Sequence, residues 1–340
     1  MQIIKSLFKR REISSIFFLF AIYAITAMVN PNFFQADNIM LCLNGATVYT
    51  LCAIGMAFVI YTGEIDASIG ATLGLSAAVA ASMIRDGKPW ALAMLAAVSI
   101  GLVIGLVNGF GVAVLKVPSI IMTIGMMSII RGVSYVYTKG AWVENVPSVF
   151  KQLSQDGIFG LSWMYIGTIA LMILLHFYLT NARKGRYFKA VGDNEDGAVN
   201  IGISVTTIKM VSYIVCAILA SVASIVFVSR IGFVTPTSGN GYEMKAIAAC
   251  VIGGISLSGG VGNMIGATFG ALIMASISRI LVFLGFSSNY DNTITGILLI
   301  TIVVADAIMQ NRKIEKARRD RLIARTMTAI EIEAEGGRAQ

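Results

Sequence analysis

Apolar residues run along this chain in long stretches, each closed by a short polar, glycine-rich or basic break. A helix needs about 20 apolar residues to cross a hydrocarbon core about 30 Å thick. Ten stretches approach that form: Ile13–Val29, Ile39–Tyr61, Ser68–Ile84, Trp90–Leu115, Val117–Tyr137, Trp163–Leu179, Thr206–Val228, Ala246–Ser258, Asn263–Leu284 and Thr293–Met309. The eighth is too short for a full span and reads as a half-helix running into an irregular glycine stretch. The pattern predicts an all-α polytopic membrane protein with about ten transmembrane helices, some interrupted by glycine. Residues 1–309 read as one transmembrane domain, 180–205 as a cytoplasmic loop within it and 310–340 as a cytoplasmic tail.

The polar breaks orient the stretches. Lys5, Lys9, Arg10 and Arg11 precede the first, and Arg183, Lys184, Arg186 and Lys189 fall in 180–205. Arg312, Lys313, Lys316, Arg318, Arg319, Arg321 and Arg325 follow the last, whereas the alternate breaks near 30–38, 138–162 and 285–292 are poor in bases. Lysine and arginine accumulate on the cytoplasmic side, so both termini are expected there, as an even number of spans requires. The first stretch lacks a small-residue cleavage site before "NPNFF" and reads as an uncleaved span.

Composition agrees. Of 340 residues 56% are hydrophobic and 13% charged, and mean hydropathy is +0.79. A soluble domain carries about 25% charged residues. The net charge of +8 is explained by orienting bases at segment ends, so a nucleic-acid partner is not expected. Cys42, Cys52, Cys216 and Cys250 lie in apolar runs without a C-x-x-C pair and read as reduced packing residues. With one histidine, His176, and no His/Cys cluster, neither a metal nor a cofactor is expected.

One phrase occurs twice. "IGATLG" at Ile69–Gly74 returns as "IGATFG" at Ile265–Gly270, and each follows a G-x-I-x-x-S segment, "GEIDAS" at Gly63–Ser68 and "GGISLS" at Gly253–Ser258. The text suggests an internal duplication with halves near 13–137 and 163–309. Repeats with interrupted helices are a feature of transporters, whose sites sit where the repeats meet. Whether the halves are parallel or inverted depends on whether Ala246–Ser258 counts as a span.

An ionisable residue at membrane depth costs about 2.5–3.5 kcal/mol on insertion scales, and polar residues in apolar context are candidates for the translocation path. Asn44, Glu64, Asp66, Asn108, Glu243 and Ser256 form that set. Four of them have a plainer role as well: Glu64 and Asp66 as helix-capping carboxylates, Asn44 and Asn108 as interhelical hydrogen-bonding groups. Lys209 and Arg230 read as side chains snorkelling from helix ends. No ladder of carboxylates suggests a proton relay. The chain also lacks a G-x-x-x-x-G-K-[ST] phosphate loop, so an ATP-driven process would need its motor on another polypeptide.

These stretches resemble a known family. "GEIDASIG" at Gly63–Gly70, "NGFGVAVLKVPSIIMTIGM" at Asn108–Met126, "GRYFKAVGDNEDGAVNIGI" at Gly185–Ile203 and "GYEMKAIAACVIGGISLSGGVG" at Gly241–Gly262 are similar, in order, to motifs of the membrane permease subunits of bacterial ABC importers for monosaccharides of the ribose, galactose, xylose and rhamnose class. Ala67 stands where that family usually has leucine, and Gly197 where alanine is common. "GAWVENVP" and "IGFVTPTSGNGYEMKAIAACVIGGISLSGG" at Ile231–Gly260 look most like the autoinducer-2 branch. The resemblance implies a subunit of the bacterial inner membrane that is not itself an enzyme and that imports a ribose-type monosaccharide or autoinducer-2. It implies a second permease chain, cytoplasmic ATPase subunits and a periplasmic or lipid-anchored binding protein as partners, in a lipid membrane. It further implies that Gly185, Arg186, Gly192, Asp193, Asn194, Glu195 and Gly202 belong to the segment that docks on the ATPase. An ion-coupled transporter working without an ATPase is the competing reading, and a membrane-embedded enzyme a weaker third, because no nucleophile or metal constellation is apparent.

Overall fold

The computed structural model describes residues 11–304, 306–308, 315 and 319. The bases at 5, 9 and 10 and most of the tail 310–340 lie outside the described residues. The chain divides into two units, Met1–Leu299 and Ile300–Gln340; the described residues of the second are helical.

The first unit is almost wholly helical. Its main helices are α1 (Arg11–Val29), α2 (Ala36–Tyr61), α3 (Ile69–Arg85), α4 (Trp90–Ala113) and α5 (Ser119–Thr138). A short α6 (Ser148–Gln152) and a hairpin of β1 (Gly157–Ile158) and β2 (Leu161–Ser162) lead into α7 (Trp163–Asn181). Two short helices follow, α8 (Arg183–Asp193) and α9 (Glu195–Asn200), then α10 (Val205–Ile231), α11 (Tyr242–Ile252) and α12 (Met264–Phe283). Among the described residues, seven helices are long and apolar enough to cross a membrane: α2, α4, α5, α7, α10, α12 and Ser288–Ile308. The helices at Ser15–Val29 and Ile69–Arg85 are apolar but shorter, and α11 has only 11 residues.

Burial separates centre from periphery. The apolar window of α2 is 83% buried and those of α10 and α12 67%, against 17% for α5 and α7. The outer helices turn Leu102, Val103, Ile121, Val136, Leu174 and Phe177 outward, as lipid-facing helices do.

Glycine ridges set the tight contacts. On α4, Gly101, Gly105 and Gly109 recur every fourth residue against α10; a Cβ at Gly101 would stand 2.5 Å from the Ala217 carbonyl oxygen and one at Gly105 2.8 Å from that of Tyr213. The doubled phrase does the same work twice. On α3, a Cβ at Gly74 would meet the Ser238 carbonyl oxygen at 2.2 Å; on α12, one at Gly266 or Gly270 would meet those of Gly253 or Ala249 at 2.0 Å. Small residues four apart let backbones approach closely where no water competes.

Side-chain and backbone pairs set the direction of α11. Tyr49 stacks on Tyr242 with centroids 4.8 Å apart, Cys250 Sγ donates to the Ala53 carbonyl at 3.2 Å, and Gly260 N–H donates to the Tyr61 carbonyl at 3.1 Å. Thus α11 runs beside α2 in the same direction. The breaks that follow them, 62–68 and 253–263, meet: a Cβ at Gly63 would stand 3.5 Å from the Ser258 carbonyl oxygen. In the second break Gly254, Gly259 and Gly260 have φ of 86°, 83° and 71°, which a side chain would strain.

Candidate functional site: a cavity and a surface helix pair clamped to two helix breaks

The loop proposed for docking folds as a helix pair. On α8 the buried residues Gly185, Phe188 and Val191 lie on one face, while Arg183, Lys184 and Arg186 are exposed. Phe188 packs edge-on to Phe58 of α2, centroids 5.1 Å apart. Asn194 ends α8 and caps α9, its Oδ1 accepting from Gly197 N–H at 2.8 Å. Gly202, at φ 80°, closes the turn after α9. Asp193, Asn194, Glu195 and Asp196 are exposed, with apolar Val199 and Ile201 beside them at 59% and 73% exposure. The proposed docking residues therefore share one compact surface element.

Its inner side is tied to both breaks. Gly192 lies so close to the end of α2 that a Cβ would be 2.0 Å from the Tyr61 carbonyl oxygen. Lys189 Nζ donates to the Gly262 carbonyl at 2.6 Å. Lys209 of α10 pairs with Glu64 at 2.7 Å and also with Glu195. The Lys209 and Glu64 side chains are 11% and 17% exposed. Lys209 is thus a buried link between the surface helices and the first break, not a snorkelling end.

The six path candidates are placed apart. Asp66 and Asn108 come together: Ser68 donates to Asp66 Oδ1 through its N–H at 2.8 Å and its hydroxyl at 2.6 Å, and Asn108 Nδ2 donates to Ser68 Oγ at 2.8 Å. Burial pushes the Asp66 carboxyl above the ordinary carboxylate range, and the Ser68 bonds oppose that in part. Glu64 joins Lys209. Glu243 opens α11, its Oε1 accepting from Gly241 N–H at 3.2 Å and lying 3.6 Å from Arg131. Ser256 is buried in the second break, its N–H donating to the Val261 carbonyl at 3.0 Å.

Asn44 holds the hairpin. Its Nδ2 donates to the Gly160 carbonyl and its Oδ1 accepts from Ser162 N–H, both at 2.8 Å. The hairpin turn carries positive φ at both central residues, 53° at Phe159 and 80° at Gly160, the twist that two-residue hairpins favour. Asn44→Ala removes both bonds and should cost about 1–2 kcal/mol of stability, since each net bond is worth about 0.5–1.5 kcal/mol. A thermal melt of the variant in nanodiscs checks this; an unchanged melt would show that the hairpin holds its place without Asn44.

None of these six lines the main cavity. That cavity, of about 580 Å³, lies between the start of α2, the ends of α10 and α12 and the start of α11. Its lining includes Tyr49, Arg230, Tyr242, Ser278 and Arg279. Further along α2 and α11 from the stacked Tyr49 and Tyr242, Cys52, Ala53, Ile54, Ala249 and Cys250 are all at most 1% exposed. Arginines inside apolar stretches were the available signal for this site; at Arg230, a position at a helix end concealed it.

The family model described as "Branched-chain amino acid transport system / permease component" matches residues 38–303. The autoinducer 2 import system permease protein LsrC of Enterobacter sp. (strain 638) is 36% identical over 302 residues, covering 89% of this chain and 88% of that protein. LsrC of Yersinia pseudotuberculosis serotype O:1b (strain IP 31758) is 34% identical over 329 residues, covering 95% and 93%, and LsrC of Salmonella typhimurium is 34% identical, covering 89% and 87%. With a match this long, and a bundle of membrane-length helices, the chain belongs to this family of ABC-importer permease components, alongside the autoinducer-2 import permeases.

Proposed function

We propose that this chain is the membrane-spanning subunit of an ATP-driven importer that carries a small sugar or sugar-like molecule, of the ribose type or autoinducer-2, delivered by a binding protein. The observation that carries this reading is the attachment of α8 and α9 to both helix breaks, through Lys209–Glu64, Lys189–Gly262 and the close seat of Gly192 on Tyr61. A motor gripping that helix pair would pull on the segments from which α3 and α12 leave.

In this reading ten segments cross or enter an inner membrane, both termini are cytoplasmic, and the two α-break-α units (α2–α3 and α11–α12) descend from a duplication with parallel halves. The cavity then opens toward the periplasm, and the packing of α2 on α11 closes it from the cytoplasm. Two permease chains, identical or sister, would pair in the lipid. ATPase subunits would take up α8 and α9, whose exposed Val199 and Ile201 offer apolar anchors among charges. ATP binding would move the helix pair, shift the breaks and reverse which side the cavity faces. Selectivity would rest mainly on the binding protein.

Uptake into vesicles holding this chain, its ATPase and its binding protein tests the proposal, with labelled ribose, rhamnose and autoinducer-2 offered with and without internal ATP. Accumulation of one ligand only with ATP is the expected result. Uptake that ignores ATP and follows an ion gradient would sink it in favour of the secondary transporter. Arg186 is exposed on α8, and its charge reversal, Arg186→Glu, should leave the permease in the membrane but cut co-purification of the ATPase at least about ten-fold, as loss of a charge pair at an interface does. Normal assembly and transport by that variant would place docking elsewhere.

A further inference from the structure

Two cations meet in the cavity without a counter-charge. Arg230 and Arg279 both line it, and among the described residues neither forms an ion pair. Arg230 Nη1 reaches only the Asn44 carbonyl at 3.4 Å, and Arg279 Nη1 the Asn38 side-chain oxygen at 3.2 Å. A guanidinium has five donors, so most of these are left for a ligand. Two nearby carboxylates have cationic partners of their own: Asp291 Oδ2 accepts from Lys245 Nζ at 2.5 Å and Ser278 Oγ at 2.6 Å, and Glu243 Oε1 lies 3.6 Å from Arg131. Lys245 also lies 5.3 Å from the centroid of the Tyr49 ring.

The cations are given room. A Cβ at Gly45 would come within 2.9 Å of Arg230 Nη2, so the absent side chain at that position lets the guanidinium lie against α2 and face the cavity. Beside it, Tyr49 and Tyr242 stack and Phe227 meets Tyr242 edge-on at 6.0 Å, giving an aromatic wall suited to the C–H face of a sugar ring. A volume of about 580 Å³ holds a small polar molecule with room to move. Two guanidinium groups lining one cavity without an ion-pair partner attract an anion. Their planar fork matches a carboxylate or a phosphate.

We propose that this cavity takes a polyhydroxylated ligand bearing an anionic oxygen group, held by Arg230 and Arg279 with its hydroxylated carbon frame along Tyr49 and Tyr242. The inference rests on the reading of the cavity as part of the translocation path. It adds to the ribose-type and autoinducer-2 candidates a further ligand class, a sugar acid or sugar phosphate, and ties its binding to the two arginines.

The test uses full-length permease in lipid nanodiscs and probes matched except for charge. D-gluconate is compared with D-glucitol, and D-ribose 5-phosphate with D-ribose, by ligand-dependent thermal shift at constant ionic strength. Wild type should half-saturate with at least one anionic probe at a concentration about ten-fold or more below its neutral twin, the scale of a charge-assisted contact. Which anion responds separates carboxylate from phosphate. Arg230→Gln with Arg279→Gln should erase the preference, and the Lys pair at the same positions should retain part of it. Equal response to charged and neutral probes, no response to any, a preference that survives the Gln pair, or a response matched by inorganic phosphate alone would each overturn the proposal.

ATP-dependent uptake of the importer's transported ligand separates the two readings. If wild type shows no anion preference but the Gln pair abolishes uptake, the cavity is on the path and the anionic class is wrong. If the preference is present and uptake ignores the Gln pair, the cavity is an anion site off the path.

Discussion

Lys209→Met should disable transport and lower stability by about 3–5 kcal/mol, the cost of leaving one member of a buried ion pair alone. Glu64 is the stranded partner: its side chain is 17% exposed and its break has no room to swing toward water, being fastened on either side by Tyr61–Gly260 and by Tyr213 donating to the Ile65 carbonyl at 3.3 Å. Glu195 behaves differently. Its side chain is 53% exposed, so Glu195→Gln should cost no more than about 1 kcal/mol, the range of an exposed pair. Adding Glu64→Gln to Lys209→Met removes the stranded charge and should recover much of the lost stability without restoring transport. Thermal melts in nanodiscs and ATP-dependent uptake read the two effects separately. If Lys209→Met and Glu195→Gln melted alike, Lys209 would be a surface residue in practice. If the stabilised double variant transported normally, the link between helix pair and break would carry no motion.

Valine at Gly266 or Gly270 should prevent α12 from seating on α11. The obstruction is backbone, 2.0 Å from the added Cβ in each case, and a carbonyl cannot rotate aside as a side chain can. Overpacking of a rigid contact costs about 1–3 kcal/mol and occasionally more, and two such sites one turn apart act on the same interface. The Gly266→Val, Gly270→Val pair should therefore yield little folded protein. Gly125, Gly132 and Gly167, on the outer helices α5 and α7, have nothing within 4 Å of an added Cβ. Alanine there should be neutral or stabilising by up to about 1 kcal/mol, because the unfolded chain loses freedom and the helix does not. Folded yield by size-exclusion chromatography after detergent extraction gives the comparison. Equal yields from the two groups would mean that glycine spacing plays no part in this bundle.

Much of the fold was legible along the chain. Every apolar stretch in 13–304 is occupied by a helix, because a backbone in lipid must satisfy its own hydrogen bonds and does so within one segment. The weakness of Ala246–Ser258 as a span was legible too, and it appears as the 11-residue α11 followed by a break. The interval 180–205 was legible as a polar segment of mixed charge, and its folding as two short helices is a finding of the structure. The ridge at Gly101, Gly105 and Gly109 was available in the sequence as a repeat of four, but the doubled "IGAT" phrase drew the reading instead.

Other features had no local signature. All the long helices are apolar around most of their circumference, so hydropathy does not tell a lipid-facing side from a protein-facing one; only packing puts α2, α10 and α12 at the centre. Lys209 and Arg230 occupy similar positions near opposite ends of α10 and looked alike in the sequence. Packing places the first between two glutamates and leaves the second in a cavity with another arginine. The sequence by itself determined where apolar helices run and where they break, since each depends on residues a few positions apart. Only the tertiary structure decided which charges are paired and which face an open cavity, because partners for a charge come from distant helices and are settled when those helices pack.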